Sequence, residues 1–195
     1  IVSEGRFRRG HNDEAFATDT HAWGALRKLA NPDSLPNVNA NRLMAFVEDK
    51  ARTTVNYKGI VVNGFDFTYG RGIISGEWTA EAACAYQMLG DKQKAEYYLG
   101  ELGKIRHAGG LPYATAVADT THGWTASRYP SVAATAWYIF ARAGFNPFDL
   151  KTRIKDMPPE VAPPVIAVED LGRINEVKAE IIDTIGSIKK MTTFI

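Results

Sequence analysis

Five carboxylates stand where a loop meets a helix or folds back on itself: Asp19, Asp66, Glu77, Glu81 and Asp119. Two carboxyl groups in unlike surroundings can cleave a glycosidic bond. One stays protonated and gives its proton to the leaving oxygen; the other ionises and activates water or attacks carbon. A gap of roughly 6.5 to 9.5 Å between them leaves room for a water, and about 5 Å suits direct attack. In this chain Glu77 reads as the acid, with Asp19 or Asp66 as the base. Each acid also has a structural alternative. Asp19 and Glu77 can answer helix N-terminal amides, Asp66 can cap a turn, and Asp119 beside Thr120 and Thr121 suits a turn. Glu81 lies one helical turn past Glu77, so a carboxylate there must be wet, paired or protonated.

Aromatic residues supply the second set. Sugar rings offer apolar C–H faces that stack on indole and phenol, while their hydroxyls need polar partners. Phe65, Phe67, Tyr69, Trp78, Tyr113, Trp124 and Tyr129 all lie in or beside two long loops. Trp78, Trp124 and Tyr129 are the expected sugar contacts, and His122, Tyr69 and Arg71 complete the substrate-binding candidates. Trp23 and Trp137, inside Ala-rich runs, read as core. His21 and His122 have proton-transfer or hydrogen-bonding chemistry, but four scattered histidines and one cysteine make no metal set. No cofactor is called for: there is no Gly-x-Ser-x-Gly elbow, and Gly70-Arg71-Gly72 is too short for a nucleotide fingerprint.

The elements that must position these groups recur. An Ala-aromatic pair appears three times, as Ala22-Trp23, Ala85-Tyr86 and Ala136-Trp137, each in an Ala-rich helix behind a decorated loop. The spacing, roughly 50 to 60 residues, suits a helical hairpin preceded by a functional loop. The pattern predicts inner helices from Ala17 or Thr18 to Asn31-Pro32, from Gly76 to Leu89 and from Ser131 to Ala143. Partner helices are expected at Asn39 to Val55 and Asp91 to His107. Lys58 to Ser75 reads as a structured loop, with a short hairpin as its most regular form. The fold class expected is therefore all-α. Residues 1–148 form the domain, 149–167 a Pro-rich linker, and 168–195 an amphipathic helix with Leu171, Ile174, Ile181, Ile185 and Ile188 on one side. That helix reads as a docking or oligomerisation element, or as one that folds back onto its own domain.

Composition narrows the function classes. Lys plus Arg, 23, nearly balance Asp plus Glu, 22, so no net field favours nucleic acid. The apolar run from Val132 to Ala141 is far shorter than the roughly 20 residues a bilayer requires. Nothing at Ile1 resembles a leader, so the chain reads as a mature or trimmed product. Periplasmic and extracellular settings both fit.

Taken together, Ala17-Thr18-Asp19-Thr20-His21-Ala22-Trp23, Gly64-Phe65-Asp66-Phe67-Thr68, Ser75-Gly76-Glu77-Trp78-Thr79-Ala80-Glu81 and Ala133-Ala134-Thr135-Ala136-Trp137-Tyr138-Ile139-Phe140 resemble the C-terminal half of bacterial six-hairpin glycosidase-like proteins. The strings Gly110-Leu111-Pro112-Tyr113-Ala114, Gly123-Trp124 and Phe145-Asn146-Pro147-Phe148 share that likeness. The resemblance covers about residues 15–148. It implies a partial α/α toroid with its substrate groove at the mouth formed by inner-helix ends, and hydrolysis of an oligo- or polysaccharide. A complete ring needs all six hairpins, so either a missing N-terminal half or another protein chain would complete it. An open half-ring exposes apolar flanks and tends to associate. The alternative is a non-catalytic structural or assembly subunit that keeps the glycosidase-like scaffold.

Overall fold

The computed structural model describes residues 5–70, 72–107 and 110–149. Arg71, the Pro-rich segment beyond Asp149 and the amphipathic segment 168–195 lie outside the described residues.

Among the described residues the helices are α1 (Thr18–Ala30), α2 (Ala40–Lys50), α3 (Gly76–Leu89), α4 (Lys92–Ile105) and α5 (Val132–Ala143), with a single 3-10 turn, Pro32–Ser34, after α1. Four starts are fixed by short polar side chains. Asn39, Ser75, Asp91 and Ser131 accept the amide hydrogens of Arg42, Trp78, Lys94 and Ala134, each at 3.1 Å. Caps of this kind are worth about 1 kcal/mol apiece. Gly90 and Gly144 end α3 and α5 in the left-handed conformation that only glycine adopts without strain.

Among the described residues helix α3 is central and packs against α1, α4 and α5. Its Ala80, Ala82, Ala83, Cys84 and Ala85 are wholly buried, and such small side chains let three helices approach closely. At its start the approach is closer still: a Cβ on Gly76 would run into the carbonyl oxygen of Pro112.

The all-α expectation, and with it the partial α/α toroid, is corrected by two antiparallel sheets. Strand β1 (Arg52–Tyr57) pairs with β2 (Ile60–Phe65), with Arg52 opposite Phe65 and Tyr57 opposite Ile60. A smaller pair joins β3 (Ala118–Asp119) to β4 (Thr125–Ala126). The described chain is thus mixed α/β. The helix expected to reach Val55 stops at Lys50 because Thr53, Thr54 and Val55 are β-branched, which disfavours helix and suits a pleated strand. Lys58 and Gly59 both take positive φ, 52° and 86°, giving the two-residue turn whose twist matches a hairpin. The hairpin is part of the core: Val62 and Phe65 are fully buried, and β2 lies against α4.

Candidate functional site

The starts of α1, α3 and α5 are stitched into one end of the fold by the loops before them. Thr18 donates its amide to the Phe67 carbonyl (3.2 Å) and its hydroxyl to the Asp66 carbonyl (2.7 Å). Ser75 N–H reaches Phe65 O at 2.9 Å, Gly76 N–H reaches Tyr113 O at 2.9 Å, and Ser131 N–H reaches Leu111 O at 2.8 Å. Every one of these groups is at a helix start, where backbone donors lack partners of their own. Satisfying them with loop carbonyls brings three loops together.

Asp19 and Glu77 meet there, each in the first turn of its helix, α1 and α3, which pack together. Both are partly buried and both have carboxyls pushed above the usual range. For Asp19 the cause is burial, opposed by the Thr20 amide at 2.7 Å and by the positive charge of Arg9. For Glu77 the cause is again burial, followed by the negative charge of Asp19, and nothing opposes them. Glu77 has no hydrogen-bond partner among the described residues. Asp19 thus has an amide partner and a positive charge opposing its rise, and Glu77 has neither.

One turn along α3, Glu81 is wholly buried, with neither carboxyl oxygen hydrogen-bonded. Burial, then Asp19 and Glu77, push its carboxyl far upward. Trp23, one turn past Asp19 on α1, favours the ionised form but is not within hydrogen-bonding geometry. Unpartnered buried carboxyls are rare, because the desolvation penalty is paid in full.

Beside the acids stands an aromatic wall. Phe67 packs on Trp78 (4.8 Å between centroids) and Tyr113 (5.4 Å); His122 lies 5.6 Å from Trp78 and 5.5 Å from Trp124. The Trp124 indole N–H donates to the Tyr113 hydroxyl at 2.7 Å, which leaves the phenolic hydrogen to be given elsewhere. Tyr113 is the residue of this wall that the sequence under-weighted. Burial raises its hydroxyl pKa, the Trp124 bond opposes that, and the charges of Glu77, Asp19 and Glu81 raise it further. Its signal was its place in Gly110-Leu111-Pro112-Tyr113, immediately before the α5 loop.

The other expected site residues separate by role. Trp124 is 43% exposed and Tyr129 is 78% exposed, so both present open ring surface, whereas Trp78 at 5% packs against Trp124, 6.4 Å between centroids. Tyr129 joins through its backbone, accepting the Tyr113 amide at 2.8 Å. His122 is held at both nitrogens. Its Nε2 lies 3.0 Å from the Phe67 carbonyl and so carries the hydrogen, leaving Nδ1 to accept from the Arg9 guanidinium at 2.7 Å. That occupies the lone pair a base would need. Asp66 is engaged elsewhere: its buried carboxylate accepts the Phe67 amide at 2.7 Å and the Ile73 amide at 3.3 Å, which organises the turn. Tyr69 packs on Phe16, on the side toward α2, 5.2 Å between centroids. Arg71 is outside the described residues. Among the described residues no group of three His, Cys, Asp or Glu is placed to hold a metal ion, and no helix is long and apolar enough to cross a membrane.

Compared with known proteins, the chain matches no family model, no curated protein and no solved structure.

Proposed function

We propose that this chain is carbohydrate-active and hydrolyses a glycosidic bond, with Glu77 as general acid and Asp19 as the base or nucleophile. The observation that carries this reading is the pairing of Asp19 and Glu77. They are two partly buried carboxyls on separate, packed helices in unlike surroundings: Asp19 accepts the Thr20 amide, and Glu77 has no partner among the described residues. Unlike surroundings for two carboxyls are what acid–base cleavage of an acetal requires. A saccharide lies with one ring face on Trp124 or Tyr129, the Tyr113 hydroxyl donates to a sugar oxygen, and the scissile oxygen faces Glu77. Glu77 gives up its proton as the C–O bond breaks, and Asp19 meets the water or the anomeric carbon.

The test is release of reducing sugar from a panel of oligo- and polysaccharides by wild type, Glu77→Gln and Asp19→Asn. The expected loss is about 10²- to 10⁴-fold for each variant. Equal release by wild type and Glu77→Gln removes Glu77 from the mechanism.

A second reading, a non-catalytic assembly subunit, is favoured by α5. It is a strongly apolar helix in which only Ala134, Ala141 and Ala143 are buried, and Val132 is 89% exposed. Half-exposed Trp137 continues through Phe148 to Trp23 on α1. On this reading the protein binds saccharide or a neighbouring chain without turnover. Mass in solution that exceeds one chain, together with no sugar release, is its expected signature.

A further inference from the structure

Glu81 has no part in the pairing of Asp19 with Glu77, yet it is the most anomalous polar group among the described residues. It is 0% exposed, both its oxygens lack partners, and it lies one turn from Glu77 on α3 and across the interface from Asp19 and Trp23 on α1. A leucine or methionine would fill such a place at less expense, since an unsatisfied buried acid weighs against folding. Residues that break a local rule with no structural return are found where function needs them.

We propose that Glu81 is a positioning residue for Glu77: a carboxylic acid held in reserve in the α1–α3 interface, whose O–H is donated to the Glu77 carboxylate once Glu77 has surrendered its proton. This rests on the reading of Glu77 as the acid.

Residues four apart on a helix are neighbours, so the two carboxyls are within side-chain reach of each other. In the resting state no hydrogen bond joins Glu81 to Glu77. When the glycosidic C–O bond breaks, the Glu77 proton leaves with the departing oxygen and a charge appears in a half-buried place. The Glu81 proton stays on Glu81 and is shared through a charge-assisted hydrogen bond; no proton is gained or lost by the pair in that step. The charged or titratable groups that face Glu81 are Asp19 from α1, Glu77 and Cys84 from its own helix, and Tyr113 from the loop before α5. All are acids, so none supplies the positive charge that would ionise Glu81 early. Among the three carboxyls, Glu81 is therefore the one held most firmly in its protonated form.

Two variants of the full chain test this. Carboxyl-¹³C NMR follows the Glu77 titration, and thermal unfolding is followed in parallel. With Glu81→Leu the donor is gone, and the Glu77 midpoint rises by about half a unit or more. The unfolding midpoint of this variant rises by about 2 to 4 °C. Glu81→Gln keeps a donor, and its Glu77 midpoint stays near that of wild type. On a glycan that wild type cleaves, Glu81→Leu lowers kcat by about 10- to 100-fold with KM held within about twofold, and Glu81→Gln restores most of the loss. An unmoved Glu77 midpoint in Glu81→Leu, the same shift in both variants, or a lower melting point for Glu81→Leu overturns the proposal. If wild type cleaves no glycan, the hydrolytic reading falls, and the Glu77 titration still decides the role of Glu81.

Discussion

The two ends of α3 treat acidic groups in opposite ways. Near its C-terminal end, Tyr86 on α3 and Tyr98 on α4 both give their hydroxyl hydrogens to Glu48 of α2, at 2.8 and 2.7 Å, and Arg52 approaches the same carboxylate at 3.3 Å. Glu101, on α4 beside β2, is as well served: it accepts the Asn63 amide at 2.7 Å and pairs with Lys104 at 2.6 Å. At the N-terminal end, Glu77 and Glu81 have no such partners. A carboxylate whose lone pairs are all taken ties elements together and has nothing left for a ligand. One left unpaired weakens the fold and keeps its proton available.

The largest effect that would break this contrast is on turnover. Glu77→Gln is expected to lower sugar release by about 10²- to 10⁴-fold while leaving the unfolding midpoint within a degree or two, because no hydrogen bond is lost. A variant that melts well below wild type would place Glu77 with Glu48 as a structural acid.

Glu48→Leu should do the reverse. It strips the acceptor from two nearly buried tyrosine hydroxyls, 3% and 1% exposed; Tyr86 retains only a long contact to Met44 O at 3.3 Å. The expected cost is about 2 to 3 kcal/mol, read from denaturant midpoints, with turnover per folded molecule unchanged.

How much of this was legible in the sequence follows from how local each cause is. The starts of α3 and α5 were readable because Ser75 and Ser131 cap their own chain three residues on, and Gly90 and Gly144 mark the stops within one residue. The hairpin was not, because Leu43, Phe46, Val47 and Ala51 keep a helical stripe running to the first residue of β1, and Lys58-Gly59 is a weaker turn signal than Asn-Gly. Among the acids, type and position pointed equally to Asp66 and Glu77. What separates them is which amides lie within reach after folding: Asp66 finds those of Phe67 and Ile73, and Glu77 finds none. Partnership across the chain is not written in local spacing, and Glu81 could be read only as wet, paired or protonated until α1 was laid against it.

The pH dependence of stability sharpens the contrast further. The folded carboxyls of Asp19, Glu77 and Glu81 have raised proton affinities, so their contribution is fully present below the unfolded value of about 4 and is lost as pH rises through their folded values. Glu101 runs the other way. Burial alone would raise it, but Lys104 and the Asn63 amide outweigh that, so its contribution holds above about pH 4 and is lost as pH falls. His21, depressed to about 4 by burial, also loses stability as pH falls from about 6.5, and overlaps the cluster's window. Difference curves remove the overlap. Glu81→Leu minus wild type should grow from pH 4 upward, and Glu101→Gln minus wild type should change only below that; parallel curves would mean that unpartnered and partnered acids behave alike in this fold.

The smallest expected effect lies in the aromatic wall, where exposure, not chemistry, separates two tryptophans. Trp124→Phe keeps an exposed ring and removes the indole N–H that orients the Tyr113 hydroxyl at 2.7 Å. One neutral hydrogen bond at a half-exposed place is worth about 1 kcal/mol, so KM should rise about fivefold, with the unfolding midpoint unmoved. Trp78→Phe instead shrinks a buried residue packed against Phe67, Trp124 and His122, so its loss should be read in stability, about 1 to 3 kcal/mol, and only secondarily in KM. Should Trp124→Phe destabilise the protein as much as Trp78→Phe, the wall is one packed unit and Trp124 is held there by folding, not by a ligand.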